Sequence, residues 1–197
     1  MKKTRKALLL GVCAVLLVTA SVLGTMAYLT ATTDTITNTF TVGKVAITLD
    51  EAKVNPDGTP VAGADRVKAN AYKLMPGSTY TKDPTVHVAA DSEDSYVFVK
   101  VENGIANLEA TGDTTIAKQM ETQGWSLVTG ETNIYAYKNT VAAGTDVKVF
   151  ETFKIADDAN TKTEWNSITN AQVKITAYAI QKDGFANAKA AWDAGNF

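Results

Sequence analysis

The 197-residue sequence contains one cysteine, one histidine and four prolines. The cysteine, Cys13, falls in an apolar N-terminal run, so the rest of the chain uses neither disulfides nor thiol chemistry. A domain of this size buries enough core to stand without such staples. Leu10-Gly11-Val12-Cys13 is a poor lipidation site, because Val12 is large for the position before such a cysteine and apolar sequence continues beyond it. A lone His87 is too few for a hydrolytic zinc centre, which commonly takes two or three histidines, and no His-Glu-x-x-His pattern exists. His87 therefore reads as an ordinary strand residue. Ser92, Ser95, Ser126 and Ser167 have only this histidine to draw on as a base, and no Gly-x-Ser-x-Gly turn is present. A carboxylate pair brought together by folding would leave no trace in the sequence. The acidic turns Asn55-Pro56-Asp57-Gly58, Asp91 to Asp94 and Asp157-Asp158-Ala159-Asn160 lack EF-hand spacing and read as solvated loops. There is no phosphate-cradling glycine loop and no aromatic–basic patch for nucleic acid. The expectation is no catalytic set, no metal and no cofactor.

What the chain does have begins with an export signal. Lys2, Lys3, Arg5 and Lys6 form a basic start, Ala7 to Leu23 an apolar core, and Thr25-Met26-Ala27 places small residues before a cut. Cleavage is expected between Ala27 and Tyr28. The apolar run is also long enough, at about 20 residues, to span a bilayer as an uncleaved anchor. Removing residues 1–27 leaves 15 basic against 21 acidic residues, a net charge of −6. That balance argues against nucleic acid and anionic membrane surfaces as partners, so membrane contact is expected only through the signal before cleavage. The end of the chain, Trp192-Asp193-Ala194-Gly195-Asn196-Phe197, carries no hydrophobic or basic tail for attachment to a cell wall.

Residues 28–39 are rich in threonine, with Tyr28, Leu29, Ala31 and Ile36 as their few apolar anchors. Threonine favours strands, but neither face is clearly apolar and register is weakly pinned. The segment reads either as a plain leader or as a strand that forms when given a partner. Residues 40–197 read as a β domain. Phe40 and Val42 share one parity and Val45, Ile47 and Leu49 the other, which places an inserted residue, a bulge or bend, near Gly43. Residues 50–71 are a polar excursion with a turn at Asn55 to Gly58, and Leu74-Met75-Pro76-Gly77 is a second turn. Strands are predicted at Tyr80 to Val88, at Tyr96 to Glu102 in a central position, and at Val147 to Ile155, where Glu151 interrupts the apolar face. Trp125 to Val128 and Ile134 to Tyr137 read as a hairpin. A helix is predicted over Asp113 to Gln123, with Ile116, Ala117 and Met120 on one side and Gly124 as its stop. Asp157 to Asn166 reads as a loop with one helical turn. The last strand is Ala171 to Gln181, with Val173, Ile175, Ala177 and Ala179 on one face. Phe185, Ala188 and Trp192 then suggest a short terminal helix. About eight short strands with few helices imply an antiparallel sandwich.

Several stretches carry a family likeness. A long apolar signal runs into Gly24-Thr25-Met26-Ala27-Tyr28, followed by Asn38-Thr39-Phe40-Thr41-Val42-Gly43-Lys44-Val45. The Leu74-Met75-Pro76-Gly77 turn precedes Lys82-Asp83 and the strand Val97-Phe98-Val99-Lys100-Val101. Gly124-Trp125, Tyr135 to Lys138, Gly144, Phe150 and the run from Val173 to Phe185 follow in order. The chain resembles, over essentially its whole length, the TasA/camelysin family of secreted proteins from Gram-positive bacteria. The resemblance implies a mainly β, jelly-roll-like antiparallel sandwich with short helices in connections and at the C-terminus. It implies export by a SipW-type signal and its dedicated signal peptidase, and head-to-tail self-assembly into fibres of an extracellular biofilm matrix. The donor strand would come from residues 28–39, with Tyr28, Leu29, Ala31, Thr33 and Ile36 as interface residues. Two alternatives stand beside this reading: a camelysin-like surface metallopeptidase, whose zinc motif is missing here, and a monomeric surface adhesion or binding module.

Overall fold

The computed structural model describes residues 43–168 and 171–195, with Lys6 and Cys13 as single positions outside that range. The expected cleavage site at Ala27 and Tyr28, and the donor-strand residues Tyr28, Leu29, Ala31, Thr33 and Ile36, lie outside the described residues. So do Phe40 and Val42.

The chain is mainly β, and the described ladders are antiparallel. The strands are β1 (Ile47–Asp50), β2 (Thr79–Thr81), β3 (Thr85–Val88), β4 (Ser95–Asn103), β5 (Trp125–Leu127), β6 (Ile134–Tyr137), β7 (Asp146–Lys148), β8 (Thr152–Lys154) and β9 (Val173–Gln181). Among the described residues two α-helices accompany them: α1 (Ile116–Gln123) lies between β4 and β5, and α2 (Ala188–Ala194) follows β9. One sheet has the order β1-β3-β7, a second β5-β6-β4-β9, and β2 pairs with β8 alone.

β4 is the central strand that its two-sided apolar pattern predicts. It lies between β6 and β9, and its register with β9 runs from Ser95↔Gln181 to Asn103↔Val173. Its two faces serve two cores. Val97, Val99 and Val101 join Val86, Val88, Val147 and Val149 inside the main core, with Val173, Ile175, Ala177 and Ala179 of β9 packed against it. Phe98 faces the other way, into a cluster with Ile134, Ala136 and Ala191 that Trp192 and Tyr178 cover. The Phe98 and Trp192 rings lie 5.2 Å apart, and α2 is thus the apolar terminal helix expected from Phe185, Ala188 and Trp192.

α1 forms within the predicted span and ends at Gln123 as expected, but starts at Ile116 rather than Asp113. Thr115 Oγ1 accepts the Lys118 N–H as its N-cap, and Gly124 ends it at φ 95°, donating to the Met120 and Glu121 carbonyls. That left-handed conformation suits glycine. Ile116 and Met120 are buried, whereas Ala117 is exposed rather than part of the apolar side.

Three strands depart most from the sequence reading, while the hairpin and the last strand shift by one or two residues, β5 ending at Leu127 and β9 starting at Val173. The first strand begins at Ile47, so Gly43 lies ahead of the ladder and forms no bulge in it. The Lys44 and Ala46 carbonyls accept from Glu93 and Ala89, and the register slip between these bonds is absorbed by the partner loop at Ala90 to Ser92. The predicted strand at 80–88 is two strands, β2 and β3, and that at 147–155 is also two, β7 and β8. Both breaks fall at one corner. Pro84 has no N–H to give the ladder. Around it the Lys82 N–H donates to the Glu151 carbonyl at 3.1 Å, and the Val149 N–H to the Pro84 carbonyl at 2.8 Å. The ladder bends there and passes from one sheet to the next, as strands do at sandwich corners. Glu151, the interruption in the predicted apolar face, sits in the bend and pairs outward with Lys148 at 2.9 Å.

A candidate interaction groove

An antiparallel pair uses alternate residues, each exchanging N–H and C=O with its partner, while those between face away. On β9 the phase is set by Gly104 donating to the Gln172 carbonyl and Lys182 donating to the Asp94 carbonyl. Lys174, Thr176, Tyr178 and Ile180 therefore serve the ladder to β4, and Val173, Ile175, Ala177 and Ala179 turn their backbone groups outward. On β1, Ala89 donates to the Ala46 carbonyl, so Thr48 and Asp50 serve β3 while Ile47, Leu49 and Glu51 face outward. Glu51 is satisfied by exchange with Val67, which closes the β1 edge at that end. Among the described residues, no ladder covers the outer edge of β9 or the outward groups of Ile47 and Leu49.

Between these strands lies a groove of about 1000 Å³. Leu49 of β1 forms part of one wall, and Val173 and Ile175 of β9 part of the other; Tyr72, Phe153 and Trp165 give it an apolar lining. The lining follows from strand alternation. Side chains of outward-bonding residues on both strands point to the main core, where they are half-buried.

Charge gathers at the β1 end. Arg66 reaches both Asp50 and Asp83, binding Asp83 at 3.0 Å and donating to Thr85 Oγ1 at 3.0 Å. His87 on β3 is the strand residue expected, but its ring spans the sheet: Nδ1 lies 2.7 Å from Asp146 of β7 and Nε2 2.9 Å from Asp50 of β1. Burial pulls the imidazole pKa down, but hydrogen bonds and charge from the two aspartates outweigh this and hold it above the usual value. Burial likewise raises the Asp50 pKa, and its bonds to Arg66 and His87 more than reverse the effect. Because each ring nitrogen is taken by a carboxylate on its own side, the cluster is a sheet-spanning ion network. Among the described residues, no group of three or more His, Cys, Asp or Glu could hold a metal ion.

The acidic turns are occupied by local bonds. Asp57 accepts from both the N–H and the hydroxyl of Thr59, and Asp91 pairs with Lys44 at 2.7 Å. Ser92 and Ser95 both donate to the Glu93 carbonyl rather than to any base. The excursion at 50–71, read only as loop, contributes residues that sequence reasoning missed. Asn70, with Glu51, the adjoining Tyr72 and Lys82, forms the polar end of the groove. No sequence signal pairs them, since Glu51 and Lys82 are 31 residues apart.

Compared with protein-family models, with curated proteins and with solved structures, the chain has no match.

Proposed function

We propose that this is a secreted structural protein whose copies join head to tail into extracellular matrix fibres, residues 28–36 of one copy lying along β9 of the next. The observation that carries the reading is the groove itself: an apolar channel beside a nine-residue strand whose outer edge is unladdered among the described residues. Strand addition at such an edge supplies main-chain bonds, with alternate side chains entering the channel. Nine residues extend about 30 Å, which matches the length of β9. Leu29, Ala31 and Thr33 share one parity and would face the apolar lining, while Lys68 and Lys174 at the rim suit the single acidic residue of the segment, Asp34. The donor precedes the domain and the acceptor lies within it, so the contact is heterologous and propagates instead of closing. The incoming strand would complete a jelly-roll sandwich. Before a SipW-type peptidase cuts between Ala27 and Tyr28, the donor is tethered to the membrane and assembly is blocked.

The test is electron microscopy and sedimentation of purified protein beginning at Tyr28, beside the same protein lacking residues 28–36. Filaments from the first and folded monomers from the second are expected. Filaments of normal appearance from the truncated protein would sink the proposal. Chelator-sensitive casein cleavage by the purified protein would favour the metallopeptidase instead, and ligand capture by a strictly monomeric protein the adhesion module.

A further inference from the structure

Three residues distant in sequence meet at the polar end of the groove. Glu51 follows β1, Asn70 lies in the excursion after it, and Lys82 follows β2. The Glu51 carboxylate touches both of the others. Its Oε1 accepts from Asn70 Nδ2 at 2.9 Å, and its Oε2 accepts from Lys82 Nζ at 2.5 Å. Glu51 is 4% exposed and Lys82 8%. The Asn70 amide is fixed at both ends: Oδ1 accepts the Val54 N–H at 3.0 Å, and Nδ2 also donates to the Ala52 carbonyl at 2.9 Å. Tyr72 stands beside the cluster with its ring packed edge-on against Tyr80 and Phe153. Burial, reinforced by the negative charge of Glu51, holds the Tyr72 hydroxyl pKa well above its usual value, so that charge acts in a poorly screened setting.

A buried ion pair accounts for Glu51 and Lys82 alone. It does not account for a carboxamide whose nitrogen rests on the same carboxylate and whose oxygen is held by a backbone N–H. That arrangement places an amine, an acyl carbon and a proton carrier together in a partly dehydrated site. It also aims a fixed donor at the acyl oxygen.

We propose that Lys82 and Asn70 become joined by an intramolecular isopeptide bond, with Glu51 as the acid–base residue. Glu51 takes a proton from the Lys82 ammonium and leaves a neutral amine, the nucleophilic form. The Nζ lone pair attacks Asn70 Cγ, the Nζ–Cγ bond forms, and the charge that develops on Oδ1 is met by the Val54 N–H, as in an oxyanion hole. Protonated Glu51, already bonded to Nδ2, passes its proton there. The Cγ–Nδ2 bond breaks, ammonia leaves, and Oδ1 returns to a carbonyl. Glu51 then takes the surplus proton from Nζ and hands it to the departing ammonia. An ammonium and a primary amide become a secondary amide and an ammonium ion, so no oxidant, cofactor or second enzyme is needed. Folding assembles the site, so the reaction follows folding. The bond would fasten the excursion after β1 to the end of β2, fixing one side of the groove. It stands independently of what the groove binds.

The experiment is mass spectrometry of the purified folded protein, intact and after trypsin. The intact mass is expected to fall about 17 Da below that of the sequence, the loss of one ammonia. Succinimide formation at an asparagine loses the same mass, so the digest decides. Acylated Lys82 resists trypsin, and a branched product joining residues 69–73 to residues 74–100 is expected. Lys82→Arg, Asn70→Ala and Glu51→Gln, each checked for folding by circular dichroism, are expected to show full mass. Wild-type protein of full mass that yields separate peptides 69–73 and 74–82 overturns the proposal, whatever the variants do. Ammonia loss that persists in Lys82→Arg or Asn70→Ala overturns it too, and loss that persists in Glu51→Gln removes Glu51 from the chemistry.

Discussion

Two neighbouring positions on β9 separate an edge that no ladder covers among the described residues from one that is used. The Ile175 N–H points away from β4 into the groove, whereas the Thr176 N–H belongs to the ladder with Lys100. Proline at either position removes one donor. Ile175→Pro also removes a half-buried side chain, so Ile175→Ala is its proper reference, and Thr176→Ala is the reference for Thr176→Pro. Ile175→Ala is expected to cost about 1–2 kcal/mol of folding stability, roughly half the usual cost for a fully buried site. Ile175→Pro should fall close to it, because prolines are tolerated where the missing N–H faces off the edge. Thr176→Pro should fall about 1–3 kcal/mol below Thr176→Ala, because it strips the donor from a ladder carbonyl and leaves it unpaired. Under the proposed strand addition, assembly inverts the order. An incoming strand loses one net hydrogen bond at Ile175→Pro, about 0.5–1.5 kcal/mol, which raises the critical concentration by up to about tenfold over Ile175→Ala. Denaturant melts give the first pair of numbers and sedimentation of filaments the second. If Ile175→Pro drops as far below its alanine reference as Thr176→Pro does, the edge has been assigned wrongly. If it polymerises at the same concentration as Ile175→Ala, no strand pairs there.

Further outcomes follow from the packing and the charges. Phe98 is fully buried, so Phe98→Ala should cost about 3–5 kcal/mol in chemical denaturation and loosen α2. Gly124 ends α1 at φ 95°, and a Cβ there would meet the flexible Lys138 side chain at 2.8 Å; Gly124→Ala should cost about 1–2 kcal/mol, mainly from the left-handed backbone. The raised pKa of His87 gives the imidazolium form a stabilising share that is complete below its unfolded pKa and is lost as pH rises through the folded one. Thermal melts across neutral pH should show this slope, and His87→Gln should flatten it. The lowered pKa of Asp50 acts at the other end, its share being present above the ordinary carboxylate value and lost as pH falls through the folded one.

The elements read most securely from the sequence are those that decide their own environment. β4 is apolar on both sides and had to be central, β9 alternates cleanly, and α1 carries its own cap and its own stop. The corner between β2 and β3 was marked by Pro84, but the apolar run on either side of it masked the mark. The matching break between β7 and β8 was visible only as an acidic residue in the wrong place, because what bends that strand is the partner across the ladder. The groove had no sequence signature, since an edge is open or covered according to topology rather than composition. The contact among Glu51, Asn70 and Lys82 joins three polar residues in separate loops and strand ends, each unremarkable on its own.

Edge length gives the last step. Sheet edges invite unwanted pairing, and proteins blunt them by keeping edge strands short or charged. Here β2, β5, β7 and β8 are three residues each and β1 is four. β7 adds Asp146 and Lys148 to its short run, and β1 is closed by Val67 where it ends. β9 departs from this pattern with nine residues, its outward positions filled by Val173, Ile175, Ala177 and Ala179. A long apolar edge is costly to leave uncovered in a protein meant to stay alone. Among the described residues the other edge strands are short, which sets the nine-residue β9 edge apart, and under the proposed assembly a donor strand from another copy is the partner that would cover it.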